Sequence, residues 1–204
     1  MSFIKIGQRQ IFKRLLKHIP QLNLESLIKD CIKQKAKAQE ELYNLYKETL
    51  FGLSLKYCKN EAEAEDNLHN AFIEIFTKIN TYNNFGSFEG WIKRITINKA
   101  IDSYKKQFQL VPIKDDFHDT SVEEKNLNIP LEKILQLVQE LPNQYRLVFC
   151  LYELDDYSHK EIAQMLAISE STSKSNLHRA RGILKEKLTP KNFSHNNYNI
   201  SNGE

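Results

Sequence analysis

Helix-breaking residues and cysteines are scarce in this 204-residue sequence. It contains only 6 glycines, 5 prolines and 3 cysteines. Because glycine and proline disfavour helix interiors, their scarcity predicts a mostly helical protein. Cys31, Cys58 and Cys150 lie far apart and lack metal-binding spacing. They therefore indicate reduced core thiols, and they argue against both a disulfide framework and a structural zinc site.

Long apolar runs and enzyme signatures are also missing. No uncharged apolar run approaches the roughly 18 residues that a membrane span needs, and the N-terminus lacks the pattern of a signal peptide. We therefore expect a cytoplasmic protein that does not insert into membranes. There is no HExxH, GxSxG or Walker motif, and His69, His118 and His159 are dispersed, which predicts surface histidines. The sequence thus predicts no enzyme, no cofactor and no bound metal.

Charge is unevenly distributed, although the formal net charge is only +3. Residues 61–74 contain five acidic side chains and no lysine or arginine, whereas residues 1–20 contain five basic side chains and no acid. Residues 171–188 are again mainly basic. Blocks of opposite sign on one chain predict surfaces for different partners.

Apolar spacing predicts an all-α fold of two small helical domains, over residues 21–108 and 130–188. The first would hold two helices within 22–58, a third that Asn60 caps, and a fourth from about 87 to 107. The second begins with helices over 131–140 and 142–153, with Pro142 in the first helical position. Residues 1–20 are predicted to form a basic extension, 109–129 a flexible acidic linker, and 189–204 a disordered tail.

The segment 158–188 predicts a helix-turn-helix. Ser158 and Glu161 have capping-box spacing, a turn of about four residues follows, and Ser169 can cap a longer basic helix. On a helical wheel, one side of that helix is small, polar and basic, which suits entry into the DNA major groove. The predicted DNA contacts are Ser171, Lys174, Ser175, His178 and Arg179. Ser173 falls on the apolar side, where its hydroxyl could bond to a carbonyl one turn earlier.

Both halves resemble one family, the bacterial sigma-70 factors, and specifically the small extracytoplasmic-function (ECF) type with only regions 2 and 4. The segment AEDNLHNAFIEIFTKI (64–79) is similar to region 2.2. WIKRITINKAIDSYKK (91–106) is similar to regions 2.3–2.4, and residues 141–188 are similar to region 4. The likeness covers about 24–107 and 130–188, with these patterns in family order.

The resemblance implies roles in transcription initiation. Region 2.2 of the family docks on a coiled coil of the RNA polymerase clamp, which implies contacts from Asp66, Asn70, Phe72 and Glu74. Regions 2.3–2.4 open the −10 element of promoter DNA and capture a flipped base, work that needs stacking rings and cations. The residues implied for that role are Tyr82, Phe85, Phe88, Trp91, Arg94, Asn98, Lys99, Lys105 and Lys106. Of these, Trp91 is expected to shape the site, and Asn98 and Lys99 to touch DNA.

Region 4 of the family reads the −35 element with its recognition helix, and the chain departs from the family pattern there at three positions. Ala167 replaces the usual turn glycine, Ser173 the usual valine, and Asn176 a common basic residue. The first two are expected to loosen packing slightly. The third is expected to weaken phosphate binding or to alter the −35 preference.

The resemblance implies a monomer, when free, that binds core RNA polymerase and promoter DNA. An anti-sigma factor is a further candidate partner, although no residue indicates it. The alternative is a stand-alone helix-turn-helix regulator that binds duplex DNA. Such a regulator needs a first domain with a ligand pocket or a dimer seam, which the acidic 61–74 segment and the aromatic 80–90 loop fit poorly.

Overall fold

The structure, a computed structural model, describes residues 21–107 and 131–188. Every regular element within these two ranges is helical, which confirms the predicted fold class. The chain divides into two units, one ending at Tyr104 and the other beginning at Lys105. The predicted extension 1–20, linker 109–129 and tail 189–204 lie outside the described residues.

The first unit contains four helices and a short 3₁₀ turn. They are α1 (Gln21–Ile32), α2 (Ala36–Tyr57), α3 (Glu61–Lys78), the turn Ile79–Thr81, and α4 (Phe88–Gln107). The predicted cap of α3 is confirmed, since the Asn60 side chain accepts a 2.9 Å hydrogen bond from the Glu63 amide. Ser87 likewise accepts from the Gly90 amide at 3.0 Å, which satisfies a donor at the start of α4.

The core of the first unit lies where α3 packs on α2. The predicted apolar stripe of α3, including Leu68 and Ile75, is buried, and so are Leu42 and Leu50 of α2. Asn67 adds a polar contact inside this core, because its Nδ2 donates to Ser54 Oγ at 2.9 Å and to the Thr96 carbonyl at 3.3 Å. One buried amide therefore joins α2, α3 and α4, and it holds α4 in register with α3.

The second unit contains α5 (Leu131–Gln139), α6 (Asn143–Phe149), a π-helix (Cys150–Leu154), α7 (His159–Leu166) and α8 (Glu170–Lys187). The sequence predicted Pro142 in the first helical position, but the structure places it just before the helix. With φ −50° and ψ 138° it is extended and precedes α6. The predicted single helix over 142–153 changes to π geometry at Cys150. Six consecutive residues of α6, Gln144 to Phe149, are buried, so this helix forms the centre of the unit.

The helix-turn-helix is confirmed in detail. Ser158 and Glu161 form the predicted capping box at the start of α7, and Ser169 accepts from the Thr172 amide at the start of α8. Between them, Ala167 has φ 56°, the left-handed conformation that glycine adopts most easily. Alanine thus supports the same turn as the family glycine, at a conformational cost of roughly 1 kcal/mol.

Candidate nucleic-acid and protein interfaces

The outer face of α8 presents a compact polar surface. Ser171, Lys174, Ser175 and His178 are all exposed, and their spacing of three, four and seven residues places them on one side of the helix. Arg179 is half-buried at the margin of this surface. Lysine and imidazole groups can donate to base edges in the major groove, and serine can hold phosphates. The structure therefore brings together the residues that the sequence predicted for duplex DNA.

The inner face of α8 differs from the prediction at two residues. Ser173 is fully buried, and its Oγ lies 2.9 Å from Nδ1 of His159. The sequence predicted a bond from Ser173 to a carbonyl one turn earlier, and it predicted a surface location for His159. Asn176 is only 2% exposed. Its amide is therefore a core group, and the expected effect on phosphate binding does not follow from its position.

An aromatic cluster supports the loop that precedes α4. The cluster consists of Tyr46, Tyr82, Phe88 and Trp91, with neighbouring ring centroids 5.1–5.9 Å apart. Tyr82 also donates a 3.0 Å hydrogen bond to the Gly86 carbonyl, which ties the loop back onto the cluster. Rings in such tilted arrangements stabilise one another beyond simple burial.

Phe85 lies at the tip of this loop and is 87% exposed. The residues on either side of it, Asn84 (φ 59°) and Gly86 (φ 83°), both have left-handed backbone conformations. The left-handed conformations of Asn84 and Gly86 reverse the chain direction on both sides of Phe85, so the Phe85 ring lies outside the aromatic cluster. An exposed ring on a braced loop is the arrangement that base stacking needs.

The predicted −10 set separates into supporting and exposed residues. Phe88 is 3% exposed and Trp91 is partly buried, so Phe88 is a core residue and not a stacking platform. Along α4, Arg94 and Asn98 are exposed and lie one turn apart on the same side. Lys105 and Lys106 occupy the last turn of this helix. The exposed members of this set thus provide amide and basic groups along α4, in addition to the exposed Phe85 ring of the preceding loop.

Glu74 and Lys99 form an ion pair that the sequence did not predict. Glu74 of α3 contacts Lys99 of α4 and also Lys78 of its own helix. The distance between Lys78 Nζ and Glu74 Oε1 is 2.6 Å. Hydrogen bonds from Lys78 and Lys99 lower the pKa of the Glu74 carboxyl. The family resemblance implies a protein contact for Glu74 and a DNA contact for Lys99, whereas in the structure the two side chains bind each other. Their first role is to join α3 to α4.

The outer face of α3 is the candidate protein interface. Asp66 and Asn70 are exposed on one side of the helix, and Ile73, 65% exposed, lies between them and the helix C-terminus. Phe72 is instead 4% exposed and packs on Tyr43 at a centroid distance of 4.6 Å. The prediction that Phe72 touches a partner is therefore corrected, because its ring belongs to the core.

Two features of these surfaces were missed from the sequence. Ile73 falls outside the apolar stripe of α3, and that departure was the available signal for an exposed apolar contact. The His159–Ser173 contact left a weaker signal, a serine at an apolar helix position. Across 21–107 and 131–188, no cluster of three or more His, Cys, Asp or Glu side chains could hold a metal ion. No helix in those ranges is apolar over a membrane-spanning length.

Each of the two units matches a known protein family model. The family model for sigma-70 region 2 matches residues 42–108, and that for sigma-70 region 4 matches residues 131–184. The ECF RNA polymerase sigma factor SigW of Bacillus subtilis is 28% identical over 190 residues, covering 81% of this chain and 98% of that protein. SigM of the same organism is 29% identical over 151 residues, covering 72% of this chain and 92% of that protein.

A solved structure of the sigma factor RpoE in complex with the anti-sigma factor NepR, from Bartonella quintana, is 18% identical. The structural match covers 73% of this chain and 95% of the RpoE chain, with a TM-score of 0.47. The two matched regions together span more than half of the 204 residues, in the order region 2 and then region 4. The chain therefore belongs to the sigma-70 family, as a factor of the ECF type.

Proposed function

We propose that this protein is a promoter-specificity subunit of bacterial RNA polymerase. It binds the core enzyme through the outer face of α3, reads the −35 element as duplex with α8, and opens the −10 element with the Phe85 loop and α4. The observation that carries this proposal is the presence of both sigma regions on one chain, each with an exposed polar face. The polymerase supplies the catalytic centre, and the factor works in the cytoplasm, where polymerase and promoter meet.

The proposed function uses two separate DNA contacts, one at the −35 element and one at the −10 element. Each contact alone is modest, but tethering makes the second binding event intramolecular and so raises its effective concentration. We expect weak binding to free DNA, and tight, salt-sensitive binding once the polymerase holds the factor. An anti-sigma protein that covers these faces is a compatible further partner.

The direct test is binding of the full chain to purified core RNA polymerase, by native gel or co-sedimentation. We expect a stable complex that a housekeeping sigma factor displaces. A labelled sample without polymerase controls for self-association. Failure to bind, together with tight binding of a dimer to duplex DNA, would instead support the stand-alone regulator.

Removal of two exposed donors from α8 tests −35 recognition. Lys174→Ala combined with His178→Ala should lower transcription from a −35-bearing promoter by at least about 30-fold, since each of the two lost base contacts costs about 1–3 kcal/mol. A promoter whose −35 sequence is scrambled should change little. The measurement is run-off transcription with reconstituted polymerase.

The matched control is Lys33→Ala with Lys37→Ala, which removes exposed basic side chains from the other unit. It should leave the ratio between the two promoters unchanged. Equal losses on both promoters for the α8 variant would mean that this helix does not read the −35 sequence.

A further inference from the structure

A polar contact lies inside the helix-turn-helix, where the two helices meet. His159 is the first residue of α7, and its Nδ1 is 2.9 Å from Oγ of Ser173 in α8. Ser173 has no exposed surface, and the neighbouring inner residues Leu177 and Ala180 are also buried. A buried hydroxyl needs a hydrogen-bond partner, and here the imidazole provides it. We call His159 and Ser173 the imidazole–serine latch.

The imidazole ring is held from a second direction. It stacks on Tyr152 of the π-helix, with centroids 4.4 Å apart and planes 20° from parallel. The guanidinium carbon of Arg181, in α8, lies 5.9 Å from the centroid of the same tyrosine ring. Arg181 Nε donates to Glu153 Oε1 at 2.8 Å. The latch therefore joins α7, the π-helix and α8 through a continuous set of contacts.

We propose that the imidazole–serine latch positions α8 for −35 recognition. The inference rests on the proposed function, because it concerns the helix assigned to the −35 element. Lys174 directly follows Ser173, and Ser175 is the next residue. Since one residue turns a helix by about 100°, a contact fixed at position 173 sets where these outer side chains point.

The charge state of the imidazole sets the direction of the latch hydrogen bond, since a protonated ring would donate from Nδ1 to the Ser173 oxygen. A neutral ring protonated on Nε2 accepts the Ser173 O–H at Nδ1. Burial and the positive charges of Lys174 and Arg181 lower the pKa of His159, while Glu170 of α8 opposes the shift. Glu153 of the π-helix, next to Tyr152, forms an ion pair with Arg181. Protonation in the folded state is therefore disfavoured.

The direction of the pH effect follows from this lowered pKa. Above the unfolded histidine pKa of about 6.5, the ring is neutral in both states and the latch contributes fully. As the pH falls below that value, the unfolded chain takes up the proton first, so the contribution of the latch decreases. Acidification should therefore lower the free energy of unfolding, and the double variant Ser173→Val with His159→Phe, which lacks the imidazole, should not share that part of the loss.

Three variants separate the latch from ordinary packing. Ser173→Val leaves Nδ1 of the imidazole without a donor, and His159→Phe leaves the serine hydroxyl without the imidazole. The double variant replaces the pair with two apolar side chains, and such paired replacement is often nearly neutral. Ser26→Val, at an exposed position of α1, controls for placing valine in a helix. Ser173→Ala serves instead if Ser173→Val does not fold.

The experiment measures promoter binding by the full chain in complex with core polymerase, below the unfolding midpoint of every variant. At pH 7.5, Ser173→Val should weaken binding to a −35-bearing promoter about five- to tenfold, and the double variant should return to within about twofold of the wild type. Between pH 7.5 and 5.5, the free energy of unfolding of the wild type should fall relative to that of the double variant, because only the wild type carries the His159 imidazole.

Two results would overturn the latch while the proposed function stands. One is wild-type affinity in Ser173→Val and Ser173→Ala, and the other is a double variant as weak as the two single losses combined. A wild-type complex that binds scrambled and intact −35 promoters equally would overturn the proposed function, and the latch with it. Rescue by the double variant, with the same pH dependence of the unfolding free energy in both proteins, would support the positioning role and overturn the pH expectation for His159.

Discussion

Phe85→Ala is expected to reduce promoter opening by about 10- to 100-fold, because loss of one base-stacking ring costs about 1–3 kcal/mol. The Phe85 side chain is 87% exposed, and the loop beneath it is held by Tyr82 and the aromatic cluster. The variant should therefore keep the wild-type unfolding temperature and the wild-type affinity for core polymerase. Permanganate reactivity of −10 thymines in the reconstituted complex measures the opening step.

Two companion variants sharpen this result. Phe85→Tyr keeps the ring and should open the promoter almost normally. Phe88→Ala, three residues away, removes a buried ring and should lower the free energy of unfolding by about 3–5 kcal/mol. Normal permanganate reactivity in Phe85→Ala would remove this ring from the opening step. A large loss of stability in Phe85→Ala would show that the ring packs against the protein.

Asp66→Arg is expected to weaken binding to core polymerase by at least about tenfold, since a reversed charge at an interface replaces attraction with repulsion. Asp66 is exposed on α3, on the same side as Asn70 and the exposed Ile73. A basic partner helix would meet an acid, an amide and an apolar side chain there. Fluorescence anisotropy at two salt concentrations measures the affinity and its electrostatic part.

The control for this experiment is Glu48→Arg, which changes the net charge by the same amount at an exposed position of α2. It should bind polymerase like the wild type. Both variants should have wild-type unfolding midpoints, since surface substitutions away from special features usually change stability by about 0.5 kcal/mol or less. Unchanged affinity in Asp66→Arg would exclude this residue from the interface.

The ion pair between Glu74 and Lys99 bears on how these surfaces work together. It joins α3, which carries the candidate polymerase interface, to α4, which carries the candidate −10 residues. The buried Asn67 amide joins the same two helices from inside the core. Two independent polar contacts thus hold the two candidate surfaces in a single arrangement, so the position of α3 also orients α4.

Local chemistry allowed much of the fold to be predicted. The caps at Asn60, Ser158 and Ser169 all form as their sequence spacing indicated, because capping depends on residues only three positions apart. The apolar stripe of α3 and the outer face of α8 followed from helical periodicity, which fixes the faces of a helix before it packs. Pro142 differed by one position, since helix boundaries respond to neighbouring packing.

The sequence alone determined the helical class, the helix-turn-helix, the family, and the residues that form the exposed face of α8. Only the tertiary structure decided which aromatic side chains are exposed: Phe72 and Phe88 are buried and Phe85 is not. Only the structure paired Glu74 with Lys99, and His159 with Ser173. Periodicity and capping act within one helix, whereas burial and pairing depend on groups that are distant in sequence and meet only when helices pack.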